Sequence, residues 1–159
     1  MKKGEIFGQI FVYIIAIIIV AFLLVFGYRA ISTFKEKADQ VAMVQFKNEM
    51  QKAIETISLD YGSVKVKEFM LPEDVKKVCF VTSHPGLPQL RNTGYPIIED
   101  SVNAKVDNNV FLVGDDVEDS IKTEAIIVTN NFMCVNAIAH VIKIRMEGKG
   151  NHASLSVAR

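Results

Sequence analysis

The chain has 159 residues, about one domain's worth, and half of them are apolar. Its 18 basic and 18 acidic side chains cancel, which excludes the overall positive field of a nucleic-acid-binding protein. The two cysteines, Cys79 and Cys134, form no Cys-x-x-Cys pair, so a zinc framework is excluded as well.

Residues 1–9 form a short arm, in which Lys2, Lys3 and Glu5 precede an uncharged stretch. Gly4 and Gly8 have the small-x3-small spacing that lets helices approach closely. From Ile10 to Tyr28, nineteen residues carry no charge. As a helix they rise roughly 28 Å, enough for a hydrocarbon core of ~30 Å. A cleavable secretory signal has a shorter apolar core, about 7–15 residues, and ends in small residues. Here Tyr28 and Arg29 stand where such a site would be. Residues 10–28 are therefore expected to remain as one membrane span in contact with lipid. The basic residues on its two sides nearly balance, so they barely orient it. The arm is very short, and the folded part with both cysteines follows the span. The expected topology places the chain in the cell membrane with its C-terminal part extracytoplasmic.

Residues 29–61 read as a continuation of the same helix. They contain no proline, no glycine and many good helix formers. Ile31, Phe34, Ala38, Val41, Ala42, Phe46, Met50, Ala53, Ile54 and Ile57 recur at three- and four-residue spacing and read as one apolar stripe. Lys52 and Glu55 stand at helical pair spacing on the other side. Gly62 is a helix stop. One helix over Ile10–Leu59 is predicted, with its second half amphipathic and in need of a cover.

Residues 62–159 change pattern. Short β-type runs such as Ser63–Leu71, Lys77–Ser83, Asn109–Gly114, Glu124–Thr129, Phe132–Ala139, His140–Gly148 and Ala153–Val157 are separated by turn chemistry. Asn130-Asn131 reads as a tight hairpin, and Glu147–Asn151 as the turn before the last strand. His84–Pro96, with three prolines and two glycines, reads as a surface loop. About six strands point to an antiparallel sheet, one face of which takes the helical stripe. The fold class expected is thus α+β, a long N-terminal helix packed on a C-terminal antiparallel sheet. Cys79 and Cys134 both fall in strands. They are either a disulfide pair or two buried thiols.

This layout resembles the type IV pilins and the wider prepilin-like family, including single-pass pilin-like proteins of archaea. The similarity in motif covers the first thirty or so residues. In that family a basic stretch ends in glycine, a prepilin peptidase cuts after it, and a Glu at the fifth mature position pairs with a neighbour's new amino terminus. Lys2-Lys3-Gly4 is similar to that stretch, which makes Glu5 the first mature residue and Gln9 the fifth. Some archaeal precursors put Gln first after the cut, which would move cleavage to after Gly8. Gly4, Glu5, Gly8 and Gln9 are thus the candidate processing site. The chain departs from the pattern in starting with Glu and in carrying an uncharged Gln at position five.

No catalytic, cofactor or metal site is expected. His84, His140 and His152 lack the spacing of a metal pair. Gly114–Ser120 gathers four carboxylates but does not match a calcium loop, and reads as a solvated acidic loop. The eight acids between Glu99 and Glu124 face only Lys105 and Lys122 in sequence. The chain is not expected to be an enzyme. The resemblance implies a structural subunit that assembles into a surface filament, with copies of itself or other pilin-like subunits, through residues 10–28. The alternative is a membrane-anchored extracytoplasmic binding or accessory domain of an envelope or secretion complex.

Overall fold

The computed structural model describes residues 4–158; of residues 4–10, 35 and 36 it describes the backbone only. The chain divides into two compact units at Asp39/Gln40. A single helix, α1, runs from Gly4 to Leu59 through 56 residues. It begins six residues before the expected start at Ile10, and it ends where expected. Gly62 takes the positive φ of 79° that reverses the chain, and its N–H donates to the Gly148 carbonyl at 2.9 Å.

The second unit holds eight strands and a second helix. In chain order these are β1 (Val64–Met70), β2 (Lys77–Val81), α2 (Pro96–Asn103), β3 (Val110–Val113), β4 (Val117–Ile121), β5 (Ile126–Val128), β6 (Phe132–Asn136), β7 (Val141–Gly148) and β8 (Ala153–Val157). They form two four-stranded sheets, ordered β1-β7-β8-β5 and β4-β3-β2-β6. Every pairing is antiparallel except β5 with β8. The class is α+β, with α1 packed on a mainly antiparallel β structure.

The strands β2 and β3 are nearly continuous apolar runs because both of their faces are covered. Val78, Phe80, Val110 and Leu112 join the core under α1, whereas Cys79, Val81, Phe111 and Val113 join a second cluster with Ile98 and Val102 of α2. Successive side chains in a strand point to opposite faces, so one apolar run serves two cores. The main core is closed by Phe46, Met50, Ile54 and Ile57 of α1, with the Phe46 and Phe69 rings edge to face at 6.1 Å. Gly148, at the end of β7, sits against the last turn of α1. A Cβ there would lie 2.1 Å from the Ile57 carbonyl oxygen and 2.2 Å from that of Asp60, so only glycine fits.

Three expectations from sequence are revised, and one helix is added. The single stripe is really two. Phe46, Met50, Ile54 and Ile57 are buried, while Ile31, Phe34, Val41 and Val44 are exposed, Phe34 to 73% and Val41 to 65%. At about 100° per residue, Val41 lies roughly 140° round the helix from Phe46, so three- and four-residue steps had drifted onto another side. Asn130-Asn131 does not close a hairpin. Both residues take positive φ, 56° and 65°, but β5 and β6 belong to different sheets, and the turn carries the chain from one to the other. The acidic stretch Gly114–Ser120 is not simply a loop, since Val117–Ile121 is strand β4 on the edge of the second sheet. The loop after His84 gives way at Pro96 to α2, a helix too short to leave a periodic signal: only Ile98 and Val102 are buried in it.

Candidate functional site

The first unit presents a long apolar surface. From Phe11 to Tyr28 every described side chain is exposed, including Phe22 and Phe26, whose rings stack at 5.8 Å. Among the described residues, α1 is the one helix long and apolar enough to cross a membrane, by length and composition. The candidate processing residues Gly4, Glu5, Gly8 and Gln9 lie in its opening turns as helical backbone, and their side chains lie outside the described residues. Lys2 and Lys3 also lie outside the described residues.

In the second unit Cys79 and Cys134 are joined by a disulfide. The register places them directly opposite one another on β2 and β6, with Cα atoms 4.0 Å apart, and both side chains face α2. The bridge therefore ties the strand β2 to the edge strand β6.

Three of the eight acids of the acidic region are paired with lysines within the chain. Lys47 pairs with Asp119 at 2.6 Å, Lys122 with Asp107 at 2.8 Å, and Lys76 with Asp115. Glu99 accepts hydrogen bonds from the Thr93 hydroxyl at 2.7 Å and the Thr93 N–H at 2.6 Å, in that order the main causes that hold its carboxyl below its ordinary value. Glu147 is likewise held low, first by its hydrogen bond from Lys149 and then by that lysine's charge.

Two polar arrangements escaped the sequence reading. His84 and His152, 68 positions apart in sequence, stack with ring centroids 4.9 Å apart. Burial, then the His84 and Lys149 charges, push the His152 ring below its ordinary 6.5. Its Nδ1 lies 2.7 Å from the Asn151 Oδ1. His140 stands elsewhere, at positive φ before β7. The second arrangement centres on Asn109, buried to 1% exposure. Its amide NH₂ donates to the Ser83 hydroxyl at 3.0 Å and the Glu124 carbonyl at 3.2 Å, and its Oδ1 accepts from the Thr123 N–H at 2.8 Å. This joins three loops and satisfies a polar group that would otherwise be costly to bury. Its role is structural. Among the described residues no three His, Cys, Asp or Glu side chains group as a metal site would require.

Comparison with protein-family models, with curated proteins and with solved structures finds no match to this chain.

Proposed function

We propose that the protein is a pilin-like structural subunit, held in the cell membrane by residues 10–28 with its β-rich unit outside, and assembled through the same helix. The observation that carries this reading is one continuous helix with two different environments. Its residues Phe11–Tyr28 form an uncharged surface exposed all round, and farther along Phe46, Met50, Ile54 and Ile57 are buried under the strands of the second unit. A surface apolar on every side needs lipid or other apolar helices around it. The disulfide agrees with an extracytoplasmic position, where such bonds persist.

The reading predicts processing. Intact-mass measurement on protein extracted from native membranes should show loss of residues 1–4 or 1–8. A mass that retains Met1 or Lys2 would refute the pilin reading and favour the second one, a permanently anchored binding or accessory domain. That second reading is supported by Gln9, which has the size of the family's Glu without the charge that meets a neighbour's amino terminus.

A further inference from the structure

Three lysines of the second unit share one groove, and no carboxylate among the described residues pairs with any of them. The groove, about 460 Å³, runs between the last turns of α1 and the strand β1. Ala53, Ile57 and Met146 give it an apolar floor, and Lys52, Lys65 and Lys67 line its rim. Of the seven other lysines in the unit, five find acids: Lys47, Lys76, Lys122, Lys143 and Lys149 are each in an ion pair, and Lys77 donates to the Tyr95 hydroxyl. The nearest acid on the strand, Glu68, is 2.7 Å from Lys143 and so already engaged. Lys67 instead stands 5.0 Å from the centre of the Phe69 ring.

The strand beside the groove has a free edge. β1 is the outermost strand of its sheet and pairs only with β7, over seven residues without a bulge or proline. The ladder is bracketed by Gly148 N–H donating to the Ser63 carbonyl and Leu71 N–H donating to the His140 carbonyl. The odd-numbered residues of β1 therefore face β7, and Val64, Val66, Glu68 and Met70 turn their N–H and C=O groups outward. Of the other outer strands, β6 has beside it Lys143, which is already paired with Glu68, and β4 and β5 are protected differently. β4 carries a register shift and the Lys47–Asp119 ion pair, and β5 is three residues long and capped by Ser83 N–H and the Thr82 hydroxyl. Bulges, short strands and covering groups are the usual means of closing an edge.

We propose that this groove binds an extended acidic peptide segment of a partner protein, which adds to β1 as a further strand. Main-chain hydrogen bonds to Val64, Val66 and Glu68 supply the pairing, and the lysines choose the sequence. Lys65 and Lys67 are two apart, so they project on the same side of the strand as Phe69, toward α1. A segment with carboxylates at alternate positions sets both acids against these lysines and Lys52, while the intervening apolar side chains lie beside Val64 and Val66 on the other face. Edge lysines also repel basic or indiscriminate strands, so the same residues give selectivity by exclusion. The proposal holds whether or not the chain forms filaments.

The test uses the full-length protein in nanodiscs of zwitterionic lipid and a fluorescent acetylated Val-Glu-Val-Glu-Val-Glu peptide, followed by anisotropy. Saturable binding is expected, with slowed hydrogen exchange at the Val66 and Glu68 amides. Reversing Lys65 and Lys67 to Glu together should weaken binding by at least ~10-fold, since like charges then face each other. Val66→Pro should weaken it as well while leaving the melting temperature near the parent's, because the lost N–H points to the free edge. Equal affinity for the peptide N-methylated at alternate residues would overturn strand addition. So would binding untouched by the double charge reversal. If the peptide does not bind and phosphatidylserine nanodiscs protect the same lysines instead, the groove is a lipid contact and the proposal fails.

Discussion

The division of the apolar positions of α1 between a buried and an exposed side can be tested by removing one side chain from each. Ile54 is fully buried under the strands, and Val41 is 65% exposed. Ile54→Ala deletes three carbons, which at about 0.8 kcal/mol for each buried methyl or methylene is ~2.4 kcal/mol of transfer free energy. The cavity left behind, roughly 70 Å³ if nothing collapses, adds at most about 1.7 kcal/mol at ~24 cal/mol per Å³. The expected loss is therefore about 2.5–4 kcal/mol. Val41→Ala removes two carbons that already meet solvent and should stay within ~0.5 kcal/mol. Urea unfolding of the purified full-length protein in detergent, followed by far-ultraviolet circular dichroism, gives both numbers. A common m-value would confirm that the change is in stability rather than in the compactness of either state. The reasoning is refuted if Val41→Ala costs as much as Ile54→Ala, because the strands would then cover the side of the helix that contains Val41.

Two further outcomes follow from the second unit. The Cys79–Cys134 bridge closes a separation of 55 residues, so in the chain-entropy model replacing both cysteines with serine should cost about 4 kcal/mol, read as a lowered urea midpoint, and a loss below ~1 kcal/mol would contradict that estimate. The His152 ring is held below its ordinary 6.5, so the unfolded chain binds more protons in the window beneath that value. Its contribution is complete above about pH 6.5 and is lost as the pH falls through the window to the folded value. His152→Gln should accordingly shrink the stability difference between pH 7.5 and pH 5.5, and an unchanged difference would locate the acid sensitivity elsewhere.

Much of the fold is legible in the residues themselves. The helix end at Leu59, the stop at Gly62, and the strands around Cys79, Val141–Gly148 and Ala153–Val157 follow from local periodicity and turn chemistry. β4 was hidden because its residues Val117–Ile121 include Glu118, Asp119 and Ser120, and an edge strand needs only one apolar face. α2 was hidden because eight residues are too few to show a period. The groove residues were equally silent. Lys52 lies on a helix, where its spacing from Glu55 points to a pair that does not form, Lys65 and Lys67 lie on a strand, and nothing in a linear pattern says that the three share a space.

What the sequence alone determines is therefore what depends on neighbours in the chain. An uncharged run of nineteen residues is long and apolar enough to cross a membrane, and a stretch with neither proline nor glycine can carry the helix onward from it. The tertiary structure decides which side of that helix is covered, because the coverage is set by where the strands dock on it. It also decides that Cys79 meets Cys134, that Asn109 fastens three loops, and that β1 keeps an open edge beside three unpaired lysines. Those relations join residues far apart in sequence, and they exist only once the two sheets have fixed their order and register.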